Sequence, residues 1–215
     1  KKYVESNILV FDGAMGTYYA QLTGDSSSKC ELANITAPDF IKSIHKEYID
    51  AGAKALKTNT FSANSVNITD VEILKNVIKS GYRIASEAAV DAFVFADIGP
   101  IFNDSDKSNF DSYKEIVDIF LSEGASNFLF ETFADTDCLI EIARYIKASR
   151  PEVFVMASVA VLPEGYSRKC FSGQRLIDSV SVSPYIDTCG FNCVSGPRHL
   201  KEYAKAINSN GKPLS

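Results

Sequence analysis

The stretch Ala92-Phe-Val-Phe-Ala-Asp-Ile98, which Gly99-Pro100 closes, decides the fold of this sequence. It is almost continuously apolar and rich in Phe, as expected for a strand buried on both faces. Residues 110–122 then carry apolar side chains every three or four positions, which is the spacing of one helix face. A second apolar run, Asn127-Phe-Leu-Phe130, follows. A strand, a helix and a further buried strand in this order predict a parallel sheet.

The same alternation extends in both directions along the chain, and the apolar run at 7–11 also suits a strand buried on both faces. Strands are predicted at 7–11, 53–58, 92–98, 127–130, 153–159 and 185–191, and residues 211–215 look like the start of a seventh. Helices are predicted at 36–52, 70–91, 110–122, 135–149, 173–181 and 195–207. Thr36 can cap the first helix, and Pro38 is tolerated in a first helical turn. The pattern therefore contains about six strand–helix units and the beginning of another.

Two architectures fit such an alternation: an open doubly wound sheet and a TIM (β/α)8 barrel. The first strand–helix turn, Asp12-Gly-Ala-Met-Gly-Thr17, lacks the G-x-G-x-x-G pattern of dinucleotide-binding sheets. Six strand–helix units are more than half of the eight in a TIM barrel, and they match no simple open sheet. A whole barrel needs about 250 residues. We therefore predict an α/β fold that is an incomplete TIM barrel, with residues 1–215 forming one domain.

Composition and charge narrow the classes of partner. The chain has 215 residues, of which 46% are hydrophobic and 23% charged, and its net charge is −5. An acidic chain is repelled by phosphate backbones, so nucleic acid is not an expected partner. No apolar run approaches the roughly 20 residues that cross a bilayer, so no membrane partner is expected. The five cysteines are odd in number and show no C-x-x-C spacing, which favours a reducing cytoplasm over a disulfide framework.

Polar residues follow the predicted strands at their carboxyl ends, where the active sites of TIM barrels lie. They include the carboxylates of Asp12 and Glu131, the neighbours Asn59 and Thr60, and the dipeptide Asn192-Cys193. Two carboxylates can hold an ammonium group, and a thiol can be a nucleophile or a soft-metal ligand. Simpler interpretations also exist, with Asp12 as a turn residue and Cys193 as a core residue.

Six sequence blocks resemble the homocysteine S-methyltransferase family, in the same order along the chain. The blocks are Asp12-Gly-Ala-Met-Gly-Thr17, Cys30-Glu-Leu-Ala-Asn34, His45-Lys-Glu-Tyr-Ile-Asp-Ala-Gly-Ala53, Lys57-Thr-Asn-Thr-Phe61, Phe130-Glu-Thr-Phe133 and Gly190-Phe-Asn-Cys193. The first block is most similar to the homocysteine domain of cobalamin-dependent members and of bacterial members fused to a folate reductase. The similarity extends over about residues 7–215, which is nearly the whole sequence.

This resemblance implies a barrel that transfers a methyl group to homocysteine, giving methionine, while zinc binds the homocysteine sulfur. The family uses three cysteine ligands, of which Cys193 matches one. The other two form a Gly-Gly-Cys-Cys pair that has no counterpart in this sequence. The residues that match the family's substrate-binding positions are Asp12, Asn59, Thr60, Glu131 and Asn192. Of these, the two carboxylates would hold the substrate ammonium group, and the other three would shape the mouth of the site.

The resemblance also implies a methyl donor, which would be methylcobalamin or methyltetrahydrofolate supplied by another domain or protein. The missing zinc ligands matter because zinc keeps the substrate thiol as its reactive thiolate at neutral pH. Tetrahedral zinc needs about three protein ligands besides the substrate. Cys189 cannot help Cys193, since four residues of a strand span about 13 Å, and we expect it to be a buried packing thiol. The chain as it stands is therefore predicted to be inactive.

Two other interpretations stay open. One is a non-catalytic fragment or degenerate barrel that binds no zinc. The other is an unrelated barrel enzyme, either a phosphate-binding isomerase or an aldolase with a Schiff-base lysine, for which Lys57 is the candidate. The histidines, His45 and His199, are expected at surface or capping positions. An incomplete barrel also has two open sheet edges, so we expect either a segment that completes it or self-association.

Overall fold

The computed structural model describes residues 2–25, 27, 29–102 and 109–215, and strands alternate with helices as predicted. The strands are β1 (Ala55–Lys57), β2 (Phe93–Ile98), β3 (Asn127–Phe133), β4 (Phe154–Val159) and β5 (Thr188–Phe191). The helices are α1 (Met15–Thr23), α2 (Ala33–Thr36), α3 (Pro38–Asp50), α4 (Val71–Ala88), α5 (Phe110–Ser122), α6 (Asp137–Ser149), α7 (Gly173–Val182) and α8 (Pro197–Ala206), with a 3-10 turn at Cys30–Leu32.

The five strands form one parallel sheet in the order β1-β2-β3-β4-β5, which follows the chain. Every connection between neighbouring strands contains a helix, as in a TIM barrel. Phe11 bridges Ala55 of β1, and Leu214 bridges Cys189 of β5, so the predicted first and seventh strands are each reduced to a single bridge. Within the described part of the chain β1 and β5 do not pair with each other, and the barrel is therefore open.

The segment 7–11 corrects one expectation. Leu9 and Phe11 pack against the inside of the barrel, but Ile8 and Val10 are 87% and 52% exposed. The prediction that this run is buried on both faces is therefore wrong. Alternate side chains of an extended segment point in opposite directions, and only the inner direction meets packed side chains here.

Two apolar layers hold the sheet. The larger lies between the sheet and the helices and includes Phe128 and Phe130 of β3. The smaller fills the inside of the barrel and consists of Ala55, Phe95, Leu129, Phe154 and Met156. Because side chains alternate along a strand, Lys57, Asp97 and Ser158 share the inward direction with this smaller layer. The inside of the barrel thus changes from apolar to polar towards the carboxyl ends of the strands.

The helices follow the predicted pattern closely, with three differences. Helices α1 and α2 have no counterpart in that pattern, and none of the residues of α1 is buried. His45 of α3 is fully buried rather than at the surface, because it follows Ile41 by one helical turn on the packed side. Burial lowers the pKa of His45 to about 4. His199 is exposed and Cys189 is buried, as predicted.

Membrane spanning is not a feature of these helices. Within residues 2–102 and 109–215, apart from residues 26 and 28, no helix combines the length and apolar composition that a bilayer span requires.

Candidate functional site

A cavity of about 300 Å³ opens at the carboxyl ends of the strands, where the sequence analysis places the site. The predicted residues Asp12, Asn59, Thr60, Glu131 and Cys193 line it. The structure thus brings five of the six predicted residues to one cavity, with the sixth, Asn192, hydrogen-bonded to Glu131.

A larger hollow of about 700 Å³ lies at the opposite ends of the strands. Its lysine, Lys212, donates hydrogen bonds from Nζ to the carbonyl oxygens of Val180, Ser183 and Ile186. These bonds hold the loops together at the amino ends of the strands. Because the chemistry of TIM barrels takes place at the carboxyl ends, the smaller cavity is the candidate site.

Asp12 is fixed beside β1 by two hydrogen bonds. Its N–H donates to the carbonyl oxygen of Ala55 (2.9 Å), and its Oδ2 accepts from the backbone N–H of Lys57 (3.0 Å). Its Oδ1 is buried and accepts no hydrogen bond from a described residue. Burial raises the pKa of Asp12 to about 7, against the opposing attraction of Lys57. Near neutral pH, Asp12 is therefore poised between its protonated and ionised forms.

Lys57 ends β1 and extends its ammonium group between two carboxylates. Nζ lies 3.9 Å from Asp12 Oδ1 and 3.8 Å from Glu131 Oε2. Burial lowers the pKa of Lys57, but the neighbouring carboxylates, Glu131 most strongly, outweigh that effect and leave the pKa above its usual value. A protonated lysine is not a nucleophile, so this geometry does not favour the Schiff-base alternative.

Glu131 lies at an irregularity in β3. The register with β4 shifts between Phe130 and Phe133, and Thr132 has a positive φ of 68°. Asn192, from the loop after β5, bridges this bulge. Its Oδ1 accepts from the N–H of Thr132 (2.8 Å), and its Nδ2 donates to Glu131 Oε2 (3.0 Å). Asn192 therefore positions the carboxylate that faces the cavity.

Asp97 of β2 is a site residue that the sequence analysis missed. It lines the cavity, is 3% exposed, and its Oδ1 accepts no hydrogen bond from a described residue. Burial, and then the charge of Glu131, raise the pKa of Asp97 well above its usual value. A signal was available, because an aspartate inside an apolar strand is seldom buried without a partner.

Asn59 and Thr60 are hydrogen-bonded within the protein. Asn59 Nδ2 donates to the carbonyl oxygen of Cys30 (2.8 Å) and to Asn34 Oδ1 (3.0 Å). Thr60 Oγ1 donates to the carbonyl oxygen of Asp97 (2.8 Å). These bonds tie the loop after β1 to the 3-10 turn and to β2. The two side chains thus form a rigid wall of the cavity.

Two thiols line the cavity. Cys193 is exposed and has a positive φ of 54°. Cys30 donates from Sγ to Asn59 Oδ1 (3.1 Å), and burial raises the pKa of Cys30 to about 12, so this thiol stays protonated. No three Cys, His, Asp or Glu side chains of the described residues are grouped so that they would hold a metal ion. Because zinc needs about three protein ligands, the described residues alone do not fit a zinc site.

The sequence is similar to known protein sequences over nearly its whole length. A sequence model of the family described as homocysteine S-methyltransferase matches residues 9–215. The methionine synthase of Mycobacterium tuberculosis (strain ATCC 25618 / H37Rv) is 28% identical over 244 residues, which cover 99% of this chain and 20% of that protein. The methionine synthase of Mycobacterium leprae (strain TN) is 27% identical over 237 residues, with 97% and 19% covered. The chain thus spans about a fifth of the length of these curated relatives.

Solved structures show the same fold. The metallated form of the homocysteine methyltransferase MmuM from Escherichia coli matches with a TM-score of 0.80 and 16% identity, covering 95% of this chain and 82% of that one. Its oxidised form matches with a TM-score of 0.76 and 16% identity, covering 98% and 91%. The likeness in fold agrees with the family match across residues 9–215. The chain belongs to the homocysteine S-methyltransferase family.

Proposed function

We propose that residues 1–215 form a homocysteine-binding barrel domain that presents homocysteine for methylation to methionine. The observation that carries this proposal is the position of Asp12 and Glu131. Their carboxylates face one cavity and lie on either side of an ammonium group, that of Lys57, at 3.9 and 3.8 Å. Two carboxylates in this arrangement suit the ammonium group of an amino acid. Family membership supports homocysteine as that amino acid.

Each predicted site residue has a proposed role. Asp12 and Glu131 accept hydrogen bonds from the substrate ammonium group, and Asn192 keeps Glu131 in place. Asn59 and Thr60 shape the wall beside the substrate, since both line the cavity and are held by internal hydrogen bonds. With the ammonium group anchored, the thiol of the substrate would point towards Cys193.

Zinc is the cofactor that suits this thiol chemistry, and we propose Cys193 as one of its ligands. When bound, zinc would stabilise the substrate sulfur as a thiolate. The other two ligands would have to come from outside the described residues, because these residues supply no suitable group of three. On this proposal the chain alone binds homocysteine but does not activate its thiol. The non-catalytic alternative differs, since it predicts no bound zinc even in the full-length protein.

The methyl donor and the cellular setting are also proposals. Methylcobalamin or methyltetrahydrofolate would be presented by another domain or protein, which agrees with relatives that are methionine synthases about five times as long. The five cysteines form no disulfide bond among the described residues, which supports a reducing cytoplasm.

The binding of homocysteine to the full-length protein, measured by calorimetry, tests the proposal. We expect Asp12→Asn and Glu131→Gln each to weaken binding about tenfold or more, because each removes a charged hydrogen-bond acceptor of the ammonium group. Asp91→Asn and Glu152→Gln make the same chemical changes at exposed positions before β2 and β4, and should leave the affinity unchanged. Wild-type affinity in both site variants, or no binding by the wild type, would refute the proposal.

A further inference from the structure

The candidate site holds more negative than positive groups. Among the described residues, Asp12, Glu31, Asp97 and Glu131 line the cavity with Lys57, and no further lysine or arginine does. One ammonium group therefore faces four carboxyl groups. Even with Lys57 protonated, the site can balance a second cation.

Two of these carboxyl groups, those of Asp12 and Asp97, each have one oxygen atom that accepts no hydrogen bond from a described residue. Asp12 is 8% exposed and Asp97 is 3% exposed, and the Oδ1 atom of each is buried without a partner among the described residues. A buried carboxylate oxygen without a donor is unfavourable, so such atoms mark positions that a ligand can satisfy. Both atoms belong to residues that line the same cavity.

Lys57 lies between Asp12 and Glu131, but its ammonium group is too far from their oxygen atoms to donate hydrogen bonds to them. Its Nζ is 3.9 Å from Asp12 Oδ1 and 3.8 Å from Glu131 Oε2, which are ion-pair distances longer than a hydrogen bond. Asp97 lies on the neighbouring strand β2, lines the same cavity, and its Oδ1 accepts no hydrogen bond from a described residue. A lysine carries its charge on a flexible four-carbon stem, so its ammonium group can move between neighbouring carboxylates.

We propose that Lys57 determines how tightly this site binds an ammonium ligand, by holding the place between Asp12 and Glu131 until the ligand displaces it towards Asp97. This inference rests on the proposed function, in which those two carboxylates bind the amino group of homocysteine. Lys57 is thus an internal competitor of the substrate. Its charge offsets part of the negative charge of the site and so lowers the affinity for ligand amines.

Because Lys57 is charged and lies between the two carboxylates, its removal should change the affinity for a ligand according to the charged groups of that ligand. In Lys57→Met the place between the carboxylates is open and the site is more negative. Ligands with an ammonium group should bind more tightly, whereas ligands with only a carboxylate should not. The opposite role, in which Lys57 itself binds the carboxylate of the substrate, would make every ligand with a carboxylate bind more weakly.

Three thiols separate these roles in the full-length protein: homocysteine, 3-aminopropane-1-thiol, which lacks the carboxylate, and 4-sulfanylbutanoate, which lacks the amine. We expect Lys57→Met to bind the amine thiol about tenfold more tightly than the wild type does, and 4-sulfanylbutanoate no more tightly. Lys57→Gln serves as a second variant with the same expected direction. Lys54→Met removes an exposed lysine at the other end of β1 and should change nothing.

Asp97→Asn completes the test as a double-mutant cycle with Lys57→Met. If displaced Lys57 moves to Asp97, Asp97→Asn weakens amine binding when Lys57 is present and much less when it is absent. Unchanged or weaker binding of 3-aminopropane-1-thiol by both Lys57 variants would overturn the inference. If homocysteine binding still depends on Asp12 and Glu131 in that case, the proposed function survives. If neither the wild type nor the Lys57 variants bind homocysteine, both fail.

Discussion

The carboxyl group of Asp12 is buried where ionisation is costly, and this couples the stability of the protein to pH. Its pKa is about 7 in the folded chain, compared with the usual value of 3.8. Between these values the folded chain retains a proton that the unfolded chain releases. The contribution of Asp12 to the free energy of unfolding therefore falls as pH rises from about 4 to about 7, and it is constant above that range.

Asp12→Asn removes this titration. We expect the stability of the variant relative to the wild type to increase across the same pH window, by up to about 4 kcal/mol. Urea unfolding measured across the window tests this. Asp91→Asn, at an exposed aspartate, should instead keep the wild-type profile. Parallel pH profiles for the wild type and Asp12→Asn would contradict the account of this residue.

At the scale of residues, adjacency to a strand was the informative signal. Asp12 and Glu131 could be predicted because each follows an apolar run directly, and parallel strands end at one edge. Asp97 lies inside an apolar run, where an aspartate is itself a signal, but its role depends on the inward direction of its side chain. Lys57 was recognised near the strand ends, but its position between two carboxylates depends on distances between strands that sequence does not contain.

At the scale of elements, Gly81 shows how closely α4 approaches the site. A Cβ at Gly81 would lie 2.6 Å from Asn34 Nδ2 and 2.9 Å from Thr60 Cγ2. The same Asn34 nitrogen donates to the carbonyl oxygens of Asn59 (2.7 Å) and Val77 (3.1 Å). The absence of a side chain at Gly81 therefore lets the helix lie against the wall of the cavity.

Gly81→Ala should destabilise the protein, although alanine is the better helix former. The gain in helix propensity is about 1 kcal/mol, whereas overpacking against a buried network costs about 1–3 kcal/mol. Asn76→Ala, at an exposed position of α4, gains propensity without the clash and should be neutral or slightly stabilising. Urea unfolding of both variants measures the difference. A stabilised Gly81→Ala variant would show that α4 does not pack on the site in this way.

The elements themselves were predictable where the apolar pattern was strong. Helix α5 begins and ends at the predicted residues, 110 and 122, because its buried side chains recur at helical spacing. Helix α1 was missed because it buries no side chain and so has no such pattern. The bulge at Thr132 was also missed, since a β-branched residue with positive φ is held there by Asn192, which is distant in sequence.

At the scale of the molecule, the chain is an open barrel with Asp12, Lys57, Asp97 and Glu131 at the carboxyl ends of its strands. The edge beside β1 exposes Ile8 and Val10, and such an edge favours pairing with another segment or chain. We propose self-association through the open edges. Sedimentation velocity should then show larger species as concentration rises. These should decrease in Ile8→Lys but not in Val90→Lys, which changes an equally exposed apolar residue in the connection between α4 and β2. A monomer at every concentration would contradict this proposal.

A crystal structure of the full-length protein with homocysteine bound tests the central claim most directly. The account predicts that the ligand nitrogen lies within hydrogen-bond distance of Asp12 and Glu131, at the place that the Lys57 ammonium group takes in the present structure. The ligand sulfur should point towards Cys193. Homocysteine bound outside this cavity, or with its nitrogen away from both carboxylates, would contradict the account.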